Sequence, residues 1–153
     1  MIEQGEYSFA LQAQEEFRRS LTLAAASYFE KIIQDIVKDH VKSKSNNCLE
    51  IISLVEIKVI SRQYHTWFDW KNLKDNTFWG MFGAEFKDIR VKEIKGNADL
   101  GEASRSFLMI GSLRNQIVHQ NFGSFEVPNS VEEIYEFYKR ALLYIDYCQV
   151  VLI

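Results

Sequence analysis

The sequence predicts an all-α fold, a helical bundle of four main helices plus one shorter helix. Three observations carry this expectation. Apolar residues recur at steps of three and four through several long segments, the period of an amphipathic helix. No strand-like alternation persists anywhere along the chain. Helix breakers are scarce, with one proline (Pro128) and seven glycines in 153 residues. Apolar residues make up 47 % and aromatics 14 % of the chain, enough to build a core. The length fits one domain spanning 1–153, with no internal repeat, low-complexity tract or linker. The apolar ending Val150-Val151-Leu152-Ile153 leaves two readings open, a final helix that docks fully or a chain cut inside a longer protein.

The first helix is expected from about Tyr7 to Val41. Phe17, Leu21, Ala24, Tyr28, Ile32 and Ile36 form its apolar stripe, and Glu15, Arg18, Arg19, Lys31, Asp35 and Lys38 its polar face. After a polar turn at 43–47, Asn47 with Glu50 has the spacing of a capping arrangement and opens a second helix, which runs to about Arg62. Residues 64–75 read as a structured connection whose rings, Trp67, Phe68 and Trp70, plug into the bundle. Asp75 or Asn76 caps a third segment holding Phe78, Trp79, Met81, Phe82 and Phe86. The charged stretch Asp88–Asn97 reads as a surface loop. A fourth helix begins near Ala98 or Asp99 and buries Phe107, Ile110, Leu113 and Ile117. It ends around Asn121-Phe122, with Gly123 as its stop. Ser130-Val131-Glu132-Glu133 matches a capping box and opens the last helix, whose inward residues are Ile134, Tyr138, Ala141, Ile145, Cys148 and Leu152.

Composition excludes several function classes. The net charge is −3, unlike the basic patch of a dedicated nucleic-acid binder. No apolar run reaches the roughly 20 residues needed to span a bilayer, and the acidic N-terminus lacks a signal-peptide pattern. A cytoplasmic protein without membrane contact is expected. Cys48 and Cys148 have no CxxC partner and read as small buried hydrophobes in helices. No HxxxH, HExxH or carboxylate cluster suggests a metal, and no cofactor motif is present.

Chemistry concentrates in Arg114-Asn115-Gln116-Ile117-Val118-His119, late in the fourth helix, in a chain with three histidines. A guanidinium can grip a phosphate and neutralise charge on a pentavalent transition state. An imidazole can take a 2′-OH proton or give one to the leaving 5′-oxygen. Together they suffice for metal-independent RNA cleavage by the internal 2′-OH, with DNA refractory. Asn115 could orient the imidazole or bind a phosphate oxygen. Asn115 and His119 share a helix face, whereas Arg114 and His119 lie about 140° apart on an ideal helix. They converge if the arginine wraps round, if the last turn distorts, or if a second copy supplies half the site. A two-fold dimer, in which the patch meets itself, is favoured by this geometry. The bland alternative is a helix-terminal histidine favoured by the dipole and an arginine paired with a neighbouring carboxylate.

This hexapeptide resembles the R-x(4–6)-H signature of the HEPN superfamily, in its Arg-Asn-x-x-x-His form, and it sits as that signature does, late in the penultimate helix of an all-α bundle. The aromatic middle, Gln63–Trp70 followed by Phe78–Gly83, is similar to the RiboL-PSP-type HEPN group. The resemblance implies a metal-independent endoribonuclease acting as a homodimer on RNA, with Arg114 and His119 catalytic and Asn115 supporting them. It further implies a toxin of a toxin–antitoxin or phage-defence system with a cognate antitoxin protein. One departure bears on that partner. Where HEPN toxins paired with a nucleotidyltransferase antitoxin carry a modified tyrosine two residues after the histidine, this chain has Asn121. The alternative is a non-catalytic module of the same fold that binds a nucleotide or partner, or dimerises.

Other residues read as structural. His65 lies beside Trp67 and Trp70 and could line an RNA groove, but reads as a partly exposed neighbour of core rings. His40 sits on a charged helix end and receives no role. Arg18-Arg19 reads as a charged face. Arg105, Lys139 and Arg140, on helices near the motif, are candidate accessories for phosphate contact.

Overall fold

A computed structural model describes residues 2–120 and 125–153. Its elements are α1 (Ile2–Lys44), α2 (Leu49–Val55), a π turn (Glu56–Ile60), a 3-10 turn (Tyr64–Thr66), α3 (Asn76–Gly80), α4 (Ala84–Lys95), α5 (Ala98–His119) and α6 (Val131–Leu152). The described residues contain no strand, only an isolated bridge between Asp69 and Lys74. The all-α expectation holds, and α5 packs against α6 with α1 against both. No described helix is long and apolar enough to cross a membrane.

Of the expected stripe of α1, Ile36 is buried and Leu21 and Ile32 half-buried, while Phe17, Ala24 and Tyr28 are exposed; the buried residues Thr22, Ala25, Phe29, Ile33 and Val37 lie mostly one position later, with Arg19 also buried. The period was legible, but apolar residues occupy more than one face of α1, so spacing alone did not fix which face turns inward. Residues 3–14 are exposed throughout. Arg19, 9 % exposed, donates through Nε and Nη2 to the Phe125 carbonyl and pairs with Glu16. Glu15 accepts from the Val127 N–H. Burial acts to raise the Glu15 pKa, but Arg18, the Val127 amide and Arg19 outweigh it and hold the carboxyl below its ordinary value. Arg19 and Glu15 therefore fasten the segment entering α6 to α1.

Asn46 and Asn47 close α1 instead of opening α2. Both have positive φ, 53° and 57°, and Asn47 N–H reaches Lys42 O while Asn46 N–H reaches Ser43 O, the pattern of a Schellman motif. Asparagine tolerates left-handed backbone, so the C-terminal role prevailed. Cys48 is the N-cap of α2 without a side-chain cap bond, and its half-buried thiol donates to Glu50, so only Cys148 is the buried hydrophobe expected. Regular α2 ends at Val55, and the π turn carries the chain to Ile60. Residues 84–95, of which 88–95 were expected as a loop, form α4 instead. Gly83, at φ 106°, breaks the expected third segment into α3 and α4. Phe86, Val91 and Ile94 turn inward on α4, and Arg90 stacks on Phe86 at 4.7 Å, so its charges solvate one face of a helix.

The cap expected at Ser130 is present, its Oγ accepting from Glu133 N–H at the start of α6. At the start of α5 Asn97, expected only as the end of a surface loop, accepts from Leu100 N–H through its Oδ1. The α5 core residues Phe107, Ile110, Leu113 and Ile117 are all buried. So are Ile134, Ala141, Ile145, Cys148 and Leu152 of α6, joined by Tyr144. Tyr138 packs half-buried on the core, stacked 5.6 Å from Phe29. The helix α5 ends at His119 with an extended Gln120, short of the expected Asn121-Phe122. The expected Gly123 stop, like Asn121, lies outside the described residues. His40 is not idle: its Nδ1 bonds the Leu152 carbonyl, capping the C-terminal end of α6.

The connection 61–75 is held by Asp75. It occupies the N-cap position of α3 but makes no cap bond. Its Oδ2 instead accepts from Trp79 Nε1 (3.0 Å), Ser104 Oγ (3.2 Å) and Tyr144 Oη (2.8 Å), all buried. Trp67 and Phe68 are buried, and Phe68 stacks on Phe78 at 4.8 Å. Burial pushes the Tyr144 phenol and Cys148 thiol well above their ordinary pKa, reinforced by the Asp75 charge. Replacing Asp75 with alanine strands three buried donors and should cost about 3 kcal/mol or more, whereas Tyr144→Phe should cost roughly 1 kcal/mol. Urea denaturation of the two variants beside the wild type measures both. Equal, small losses would show that the carboxylate is not the anchor.

Candidate active site

The face of α5 beside its core stripe lines a pocket of about 450 Å³, within the range that holds small ligands. Phe107, Gly111, Arg114, Asn115 and His119 come from α5. At 100° per residue Gly111 and Asn115 occupy the middle of this face, and Arg114 and His119 flank it on opposite sides. The Trp70 ring sits against Gly111 in the middle of this face, and Arg114 and His119 line the pocket on either side. All three motif residues line one pocket of one protomer.

The opposite walls come from α1 and the connection. Ala26, Phe29 and Glu30 line the pocket from α1, and Arg62, Tyr64, His65 and Trp70 from the segment after the π turn. Arg114 Nη1 donates to Asn115 Oδ1 at 3.1 Å, so Asn115 orients the guanidinium. Arg114 forms no ion pair with a carboxylate of the described residues, unlike the bland reading of its role. His119 is exposed, and Arg114 and Asn115 are half-buried. Burial raises the Tyr64 pKa well above the ordinary phenol value, with the Glu30 charge adding and Arg114 opposing, so the hydroxyl stays protonated. Two guanidiniums face one carboxylate here, a locally positive site in a chain of net charge −3.

Trp70 fixes the far wall. Its Nε1 donates to the His65 carbonyl at 3.2 Å, and its ring lies so close to α5 that a Cβ on Gly111 would stand 2.1 Å from Cζ3. Glycine in mid-helix costs about 1 kcal/mol relative to alanine, and here it is what lets the ring seat. Trp67 Nε1 similarly donates to the Val59 carbonyl at 3.1 Å, tying the connection to the π turn.

The pocket brings in residues that the sequence reading set aside. His65 is exposed beside the core rings Trp67 and Trp70, as expected, and also lines the pocket with Trp70. Arg62, Tyr64 and Glu30 carried no sequence signal of their own. The accessories do not converge: Arg105 lines a separate surface hollow, and Lys139 pairs with Glu136 and lies over Tyr135 at 4.9 Å. Arg140 is exposed and does not line the pocket.

A family model described as RiboL-PSP-HEPN matches residues 4–149. The chain belongs to this family. No curated protein and no solved structure matches it.

Gly111→Ala is expected to displace Trp70 and with it the wall carrying His65. The expected loss is about 1–3 kcal/mol of stability, typical of overpacking, with a change in tryptophan emission absent from Gly101→Ala. Gly101 is a control because a Cβ there meets only Ile94 O at 3.5 Å. Matching emission spectra would show that Trp70 does not depend on the bare backbone at 111.

Proposed function

From membership in this family and the pocket on α5, we propose that the protein is a metal-independent endoribonuclease. The observation that carries this reading is that Arg114, Asn115 and His119 border one hollow while Arg114 has no carboxylate partner among the described residues. An unneutralised guanidinium in a locally positive pocket suits a phosphate. Asn115 holds the guanidinium in place through its Oδ1, and His119 is exposed enough to meet a substrate.

In the proposed reaction the ribose 2′-oxygen attacks the adjacent phosphorus as its proton leaves to a base. The P–O5′ bond breaks, and the 5′-oxygen takes a proton. The products are a 2′,3′-cyclic phosphate and a 5′-hydroxyl. Arg114 offsets the charge on the pentavalent phosphorane, and His119 handles one of the two proton transfers. Substrates lacking a 2′-OH are refractory. A homodimer is part of this reading. Exposed apolar side chains on α1, α2 and the π turn, among them Phe9, Leu49, Leu54 and Ile57, supply surface for such an interface. A toxin or phage-defence role, with a cognate antitoxin protein controlling it in the cytoplasm, fits a net-acidic nuclease that cuts limited targets and does not coat nucleic acid.

Purified protein in excess EDTA should cleave total RNA or tRNA to fragments with 2′,3′-cyclic phosphate ends. His119→Ala and Arg114→Ala should each lose about 10²–10⁴-fold while keeping wild-type circular dichroism. Wild-type protein that folds, binds RNA and leaves it intact would instead identify a binding module of the same fold.

A further inference from the structure

The hollow that holds Arg105 lies outside the site described so far. It measures about 500 Å³ and is bordered by the end of the connection, by α4 and by the first two turns of α5. Each of these elements contributes one cation, Lys74, Lys95 and Arg105 in turn. All three are exposed, and none pairs with a carboxylate of the described residues. Two carboxylates border the same hollow, Asp75 and Glu102. Asp75 is buried and its Oδ2 is occupied by three core donors, which leaves Glu102 alone against three cations. The hollow beside Arg18 and Arg19 is a contrast. Glu15, Glu16 and Glu126 border it as well, and both guanidiniums are spent in ion pairs.

Gathering like charges around one hollow costs a folded chain energy, and an anionic strand offsets that cost by touching each cation in turn. We propose that this hollow is a second, non-catalytic phosphate-binding site, which holds the RNA strand a few nucleotides away from the motif on α5. This inference rests on the ribonuclease reading above for the identity of the strand. The site makes no demand on whether one copy or two complete the catalytic centre.

The cations stand on firm backbone. Lys74 exchanges both main-chain hydrogen bonds with Asp69, each 3.0 Å long. The Asp69 carboxylate feels the Lys74 charge, but its hydrogen bonds go to Asn72. Lys95 is the last residue of α4, and Arg105 lies two turns into α5. The hollow and the motif also share one side of α5. By helix geometry Arg105 and His119 are about 21 Å apart along the axis and about 40° apart around it, and Ser112 and Gln116 fall in the same arc of about 60°. Gln116 is exposed, and its Nε2 donates to Ser112 Oγ at 3.4 Å. The carboxylates of α5, Asp99 and Glu102, fall outside this arc. A strand laid along this side meets hydrogen-bonding groups between two cationic ends.

The test compares wild type with a triple variant, Lys74→Gln, Lys95→Gln and Arg105→Gln. A charge-matched control carries Lys31→Gln, Lys139→Gln and Arg140→Gln, none of which lines the hollow. All six positions are exposed, so thermal unfolding should match the wild type. Two substrates are cleaved in EDTA, a dinucleotide too short to reach the hollow and an RNA of about twelve nucleotides. On the longer RNA the triple variant should raise KM about tenfold or more with kcat within about two-fold, the mark of lost uniform binding. On the dinucleotide its kcat/KM should change by less than about two-fold. Binding of a 2′-O-methyl strand of the longer length, followed by fluorescence anisotropy, should lose about two from its log–log salt slope, since each phosphate contact contributes about 0.7. A triple variant that handles the longer strand within about two-fold of wild type, or no worse than the control, overturns the inference and leaves the ribonuclease reading standing. Wild type that binds the longer strand through these cations and cleaves neither substrate upholds the site and sinks the ribonuclease reading. Wild type that neither binds nor cleaves RNA sinks both.

Discussion

One buried carboxylate oxygen organises this molecule. Asp75 Oδ2 receives an indole N–H from α3, a hydroxyl from α5 and a phenol from α6. A buried carboxylate is tolerated only where donors replace its water, and α3, α5 and α6 each supply one such donor. The carboxylate therefore fixes where the connection 61–75 ends. Its beginning is fixed by the π turn and by Trp67 donating to Val59, and its middle by Trp70 against Gly111. With both ends and the centre held, the segment is a wall of the pocket.

That rigidity bears on the proposed chemistry. Catalytic groups must be held close to a productive geometry, and exposed loops seldom achieve this. Here α5 supplies Arg114, Asn115 and His119 from a regular helix with buried core residues on its other face. The facing residues come from a segment pinned by hydrogen bonds and by Phe68 stacked on Phe78. The resulting charge is local. A chain of net charge −3 presents two guanidiniums and one carboxylate in this hollow, which favours an anionic ligand there without making the whole surface adhesive to nucleic acid.

Much of the fold was readable from the sequence, because long helices announce themselves by period and caps. The core residues of α5 and α6 and the cap at Ser130 follow from spacing. Where two signals competed, the sequence misled. Asn47 has N-cap chemistry, yet its neighbour's left-handed conformation closes α1. The charged run in α4 hides the few inward residues, Phe86, Val91 and Ile94, that make it a helix. The face of α1 was misplaced because apolar residues lie on several of its sides. At the site, Arg114, Asn115 and His119 form a contiguous motif and were legible, but their shared pocket was not, since ideal helix angles set two of them apart and the role of Gly111 is visible only with Trp70 in place. His65, Arg62, Tyr64 and Glu30 reach the pocket through tertiary folding, and no local pattern foretells that.

The three histidines offer a direct reading of the central claim, that the hollow between α5 and the connection receives RNA. His119 and His65 border it, and His40 lies elsewhere, bonded to the end of α6. The measurement is the NMR shift of each imidazole Cε1–H during titration with a 2′-O-methyl oligonucleotide, which keeps the phosphates and blocks the nucleophile. The account predicts saturable shifts at His65 and His119 with His40 unmoved. Saturable binding that leaves both His65 and His119 unshifted would contradict it.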